Sequence, residues 1–214
     1  MKSDELTETV ETEVVTPAVR PSMKERQWQL REDAILDAAT ELLKTKGFNA
    51  MTLEDITEAI GISRPTLYLH FKSKEDVATR VATRNLCCVC TIFESLNPTD
   101  SPGERLRTFC RKAIEMRFDP TRIPMYDLTR IKLSQACHNP ELRQLEHDFY
   151  GAFADLIRAG QEAGEVWNGI RPEIMVLVAT GFIKNLEIEV MVEDRTTTPA
   201  EIEQALLQLF FDRP

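Results

Sequence analysis

Apolar residues recur along this chain at intervals of three and four, from about residue 35 to the end, so the pattern predicts helices throughout. The most densely signalled stretch is Thr52 to Lys74, TLEDITEAIGISRPTLYLHFKSK. Leu53, Ile56 and Ile60 mark one helical face. Thr52 stands at the N-cap with Asp55 three residues on, a short-side-chain version of the capping box. Gly61 supplies a left-handed exit. Ser63 then caps a second helix with Pro65 in its first turn, where a missing N–H costs little. Leu67 and Phe71, four apart, face inward. Arg64, Thr66, Tyr68 and His70 are left on other faces, and Lys72 and Lys74 follow.

The same rhythm organises the rest. A helix is expected from about Lys24 to Lys46, buried along Ile35, Ala38, Ala39, Leu42 and Leu43 and ended by Gly47. Another runs from Ser73 to about Leu96. Ser101-Pro102-Gly103-Glu104 starts one that ends near Phe118, a shorter one follows Pro124, and Asn139-Pro140-Glu141 opens one reaching Ala163. After Pro172 the segment IMVLVATGFIKNLEIEVMV is apolar almost all round, which predicts burial on more than one face. Thr198-Pro199-Ala200-Glu201 opens a last helix bearing Ile202, Leu206, Leu209, Phe210 and Phe211, apolar enough to call for a partner surface.

Composition adds little to a reading as all-α: 43% of residues are hydrophobic and 29% charged. No apolar run approaches membrane-span length, and the acidic start has no core of signal-peptide type, so a cytoplasmic protein without membrane partners is expected. The net charge of −9 and pI near 5.0, taken over the whole chain, weigh against a nucleic-acid partner. The excess is not evenly spread. Residues 1–21 carry five acids against two bases and read as a disordered tail, whereas acids and bases balance from Ser22 to Lys74. Charge on a distant domain is screened beyond about 8 Å at physiological salt.

Two short helices joined by a tight turn are the pattern of a helix-turn-helix, whose second helix enters the DNA major groove. Arg64 suits bidentate pairing with guanine, and Thr66 a thymine methyl or a phosphate. Thr52 adds a hydroxyl at the positive end of its helix. The Thr-capped first helix, Gly61-Ile62-Ser63-Arg64, Thr66-Leu67-Tyr68, His70-Phe71 and Lys72-Ser73-Lys74 resemble the tetracycline-repressor (TetR) family over roughly residues 28–80. The resemblance implies that Tyr68 and His70 reach the DNA backbone and that Lys74 grips a phosphate, within an interface of Thr52, Ser63, Arg64, Pro65, Thr66, Tyr68, His70, Lys72 and Lys74. It further implies a DNA-binding domain over 22–74, a ligand-binding and dimerisation domain over 75–214, and a homodimer on operator DNA released by a small-molecule effector. Lys24, Arg26 and Arg31, beside Trp28, stand at the start of that domain, where the resemblance implies contact with the minor groove or backbone and a solvated helix start is the alternative.

For the effector, Phe93, Phe109, Met116, Tyr126, Phe149, Phe153 and Trp167 are candidate lining, with ordinary core as the alternative. Arg117 and Arg130 suit an anion, or simple surface exposure. The expected dimer face takes in Val178, Gly181, Phe182, Leu206 and Phe210. Of five cysteines, Cys87 and Cys90 share a helical face that Cys110 could join as a thiol switch or metal site, although free Cys more often packs as a small hydrophobe. His138 and His147 are isolated. No nucleophile–base motif, phosphate-cradling Gly loop or familiar metal-ligand spacing is present, so neither an enzyme nor a cofactor or metal is expected.

Overall fold

The computed structural model describes residues 22–119 and 139–212. The tail at 1–21, the short helix expected after Pro124, Tyr126, Arg130, Cys137 and His138 lie outside them. Among the described residues there are nine helices and no strand: α1 (Met23–Ala50), α2 (Leu53–Ile60), α3 (Arg64–His70), α4 (Lys74–Glu94), α5 (Pro102–Arg117), α6 (Pro140–Glu162), α7 (Pro172–Ile183), α8 (Leu186–Glu193) and α9 (Pro199–Phe211).

Local chemistry sets most of these boundaries. Ser22, Thr52, Ser63, Ser73, Ser101 and Thr198 each accept the N–H three residues on, whereas Asn185 accepts the N–H two residues on and Asn139 both. Ser22, Thr52 and Thr198 complete reciprocal capping boxes. Gly61 leaves α2 at φ 69°, left-handed backbone that a side chain resists. Gly47, at φ 73°, kinks the end of α1 before Met51 enters the core.

Two apolar cores result. The N-terminal one gathers Ile35, Leu36, Ala39 and Leu43 of α1, Ile56 of α2, Leu67 of α3, Phe71, and Val77, Ala78, Val81 and Ala82 of α4. The C-terminal one begins at Val89 of the same helix and takes in α5 to α9. Thus α4 belongs to both, and Leu86 packs against each. Leu142 at the start of α6 is buried in the N-terminal core, a second tie between the units. Arg84 reinforces the α1–α4 contact, donating to Asp37 (2.8 Å) and to the Thr40 hydroxyl (2.9 Å).

Three expectations about the C-terminal half are corrected. Leu206 and Phe210, placed on a dimer face by their apolarity, are 1% and 0% exposed and point into their own chain's core. Phe182 is half-buried against that core and keeps part of its surface outward. The segment after Pro172 is neither continuous nor buried all round. It breaks at Asn185, which turns extended and caps α8 with its side chain. Ile174, Leu177, Val178, Gly181, Val190 and Met191 are exposed.

Candidate nucleic-acid interface

The α2–turn–α3 unit is held from within. Leu67 and Phe71 drive one face of α3 into the N-terminal core, at 0% and 1% exposure. The opposite face opens to solvent. Ser63, Arg64 and Pro65 are exposed at its start, and Tyr68 is 54% and Leu69 67% exposed further on. Sequence reasoning passed over Leu69, since an apolar residue beside Leu67 reads as core. Its place one residue past the exposed Tyr68 was the available signal.

Polar contacts on this face are short-ranged and preset its geometry. The Ser63 hydroxyl accepts the Thr66 N–H (3.3 Å) and shares a hydrogen bond with the Thr66 hydroxyl (2.8 Å). Arg64 forms an ion pair with Glu54 across the turn, both side chains being well exposed. In solvent such a pair contributes at most about 1 kcal/mol, so exchanging Glu54 for a base edge or a phosphate costs Arg64 little. Thr52 caps α2 as the spacing implied. Its N–H donates to the Asp55 carboxylate (2.9 Å), which also accepts from Lys46 (2.7 Å). The Lys46 hydrogen bond first, then the Thr52 backbone, lowers the Asp55 pKa to about 2. The Lys72 N–H donates to Asp76 (2.8 Å) and its side chain faces solvent.

Two expected phosphate contacts sit differently. The Lys74 ammonium donates to the carbonyls of Phe48 (3.0 Å) and Asn49 (3.4 Å) and lies 4.6 Å from the centre of the Phe48 ring. It satisfies orphan carbonyls at the end of α1, so a phosphate would compete with that role. The His70 ring stacks on Trp28 of α1, centroids 3.9 Å apart, and both its nitrogens are buried without a hydrogen-bond partner. Burial lowers the His70 pKa, with Arg31 adding to the fall and Glu32 opposing it. Trp28 itself stays 42% exposed at the edge of the interface. Helical periodicity could not show this stack, because its partners are far apart in sequence.

In the C-terminal half, Phe93, Phe109, Phe149 and Phe153 do come together. Phe93 and Phe109 lie 4.3 Å apart between centroids, and Phe109 and Phe153 4.8 Å. Phe153 also meets Phe210 at 6.0 Å, so this cluster is packed core rather than an open lining. Met116 is half-buried against it. Trp167 is in the α6–α7 connection, its backbone N–H donating to the Phe210 carbonyl (2.8 Å). A groove of about 440 Å³ lies instead between α6 and α7, lined by Tyr150, Ala154, Arg158, Val176, Leu177 and Thr180. The thiol reading finds no support. Burial raises the pKa of Cys90 and pushes Cys110 up to about 12, away from thiolate, and no group of His, Cys, Asp and Glu among the described residues could hold a metal ion.

Comparison with known proteins agrees with the geometry of the N-terminal unit. Residues 35–81 match the profile of the family described as bacterial regulatory proteins, tetR family. The chain is 40% identical over 70 residues to the transcriptional regulator AlkX of Mycobacterium tuberculosis, covering 33% of each protein. It is 51% identical over 47 residues to the regulator EthR of Mycolicibacterium smegmatis, covering 22% of each. The match therefore spans a third or less of the length of these curated relatives. The fold extends further: a structure of AibR in complex with isovaleryl coenzyme A and operator DNA aligns with 85% of this chain and 98% of that one, at TM-score 0.67 and 16% identity.

Proposed function

We propose, starting from a chain whose N-terminal domain belongs to the TetR family, that the whole protein is a dimeric transcriptional regulator which binds operator DNA through α3 and is released by a small-molecule effector. The observation that carries this reading is the split character of α3. Its inner face is locked by Leu67 and Phe71, and its outer face offers Arg64, Thr66 and Tyr68 to a groove. Arg64 takes the base-reading role, with Ser63, Pro65, Tyr68 and Lys72 positioned for the backbone and Thr52 at the α2 N-terminus. AibR, which shares the fold, is recorded with both operator DNA and a coenzyme A thioester, consistent with an effector acting through the C-terminal unit.

The dimer face proposed here is the exposed stripe of α7, not α9. Ile174, Leu177, Val178 and Gly181 recur at intervals of three, four and seven, a single helical face. It borders the α6–α7 groove, which would seat a helix of the second copy. Pairing this stripe removes apolar surface from water and sets two α3 helices to read half-sites about one DNA turn apart.

The test is selection of bound sequences from a random duplex pool by the full-length protein, with anisotropy on the enriched duplex. A palindromic consensus, lost in Arg64→Ala, is the expected result. Absence of any enriched sequence overturns the reading.

A further inference from the structure

Arg117 closes α5 with its side chain wholly withdrawn from solvent, correcting the expectation of surface exposure. Its Nη2 donates to the Asn185 carbonyl at 2.8 Å, and the Glu189 carboxylate stands 3.5 Å away, long for a hydrogen bond. Nε and Nη1 have no hydrogen-bond partner among the described residues. Burying charged donors unmet is among the costlier arrangements in a fold. Burial accordingly drives the Arg117 pKa down, with Glu189 opposing. No packing role explains the choice, since a Leu or Met would fill the same place without unmet donors.

The position of this residue is as informative as its burial. α7 ends at Lys184, and Asn185 adopts ψ 126°, breaking what would otherwise be one long helix. The carbonyl that Arg117 holds belongs to the break. Lys184, the next residue back, donates to the Tyr150 hydroxyl at 2.9 Å. Two cationic side chains, Arg117 and Lys184, therefore flank the junction, with the Glu189 carboxylate beside the first of them. On α5, Phe109 and Ala113 precede Arg117 at intervals of four on the same face, so buried apolar surface leads directly to the guanidinium.

We propose that the α5–α7–α8 junction is the site where this protein takes the acid group of its effector, with Arg117 as the anchor and a small organic carboxylate with an apolar body as the ligand class. The inference rests on the reading of the C-terminal unit as effector-responsive. The ligand oxygens accept from the donors now unmet, and because Phe109 and Ala113 are packed core in the unliganded chain the body enters beside them only as α7 and α8 shift. Glu189 competes for the same guanidinium and so limits affinity. Ligand entry at a helix break also gives it a means of acting, because differential affinity for two arrangements of α7 and α8 is what shifts an equilibrium.

The test uses full-length protein, thermal unfolding and calorimetric titration. Butanoate, hexanoate and octanoate are compared with their primary amides, with hexyl phosphate and with inorganic phosphate. A carboxylate is expected to raise the melting temperature and bind at least tenfold tighter than its amide. Arg117→Met should abolish that preference, and Glu189→Gln should strengthen carboxylate binding several-fold. Preference for hexyl phosphate over hexanoate, or for inorganic phosphate alone, would overturn the carboxylate assignment. Equal binding of acid and amide by the natural chain overturns the site itself. If Arg117→Met does not fold, the acid–amide comparison and Glu189→Gln still decide. Operator anisotropy on unliganded protein is measured separately, so failure of DNA binding is distinguishable from failure of this site.

Discussion

In the N-terminal unit, helix starts and the interface face are fixed largely by neighbours in sequence: Ser63 by Thr66, Thr52 by Asp55, Lys72 by Asp76. In the C-terminal unit, where Ser101 and Thr198 cap in the same local way, further polar contacts span long stretches of chain. Arg117 reaches Asn185, and Glu165 accepts from Ser101 (2.8 Å) and from the Gly103 N–H (2.6 Å). A face preset by local contacts, as at the start of α3, keeps its geometry when distant contacts change. Distant contacts such as that of Arg117 give the C-terminal unit more ways to rearrange when one of them is replaced.

The sharpest way to break this comparison is to exchange the roles of α7 and α9. Phe210→Ala removes a fully buried ring and should cost about 3–5 kcal/mol in chemical denaturation. Leu177→Glu, at a residue 67% exposed, should leave folding nearly intact and yield a monomer in sedimentation. A stable dimer after Leu177→Glu combined with Val178→Glu would remove α7 from the interface. Next in size, Arg64→Ala should weaken operator binding by about 1–3 kcal/mol per half-site and relax one base position, with no matching loss of stability. Equal weakening on every sequence would make Arg64 a phosphate contact instead. Thr52→Ala should cost about 1 kcal/mol of stability through the lost cap, read from the urea midpoint.

The smallest effect concerns pH. His70 has a lowered pKa in the folded state, so the unfolded chain takes up its proton first as pH falls below about 6.5. Stability from this group is present above that value and declines through the window down to the folded-state pKa. Trp28→Ala should expose the ring, return its titration towards the ordinary value by NMR, and flatten that decline. An unchanged His70 titration would show that Trp28 is not what buries it.

How much was legible follows from the same contrast. Helix caps, Gly61, the inward Leu67 and Phe71 and the outward Arg64 and Tyr68 could be read because each depends on residues within four positions. Leu206 and Phe210 misled because apolarity says that a surface is buried, not whether its own chain or a second one buries it. The exposed stripe of α7 was present in the spacing of Ile174, Leu177, Val178 and Gly181. It was hidden because Met175, Val176 and Ala179 on the other face are apolar too. The stack of His70 on Trp28 and the capture of the Asn185 carbonyl by Arg117 depend on tertiary approach, which no periodicity encodes.

The shared membership of α4 in two cores has a geometric consequence. With 21 residues at about 1.5 Å each, it is a rod about 31 Å long, gripped by apolar packing towards both ends. Rotating such a rod by about 5° displaces its far end by nearly 3 Å, close to the roughly 3.4 Å spacing of successive base pairs. On the proposed DNA-binding reading, a repacking of a few degrees around Val89 and Ile92 is therefore enough to put α3 out of step with the bases.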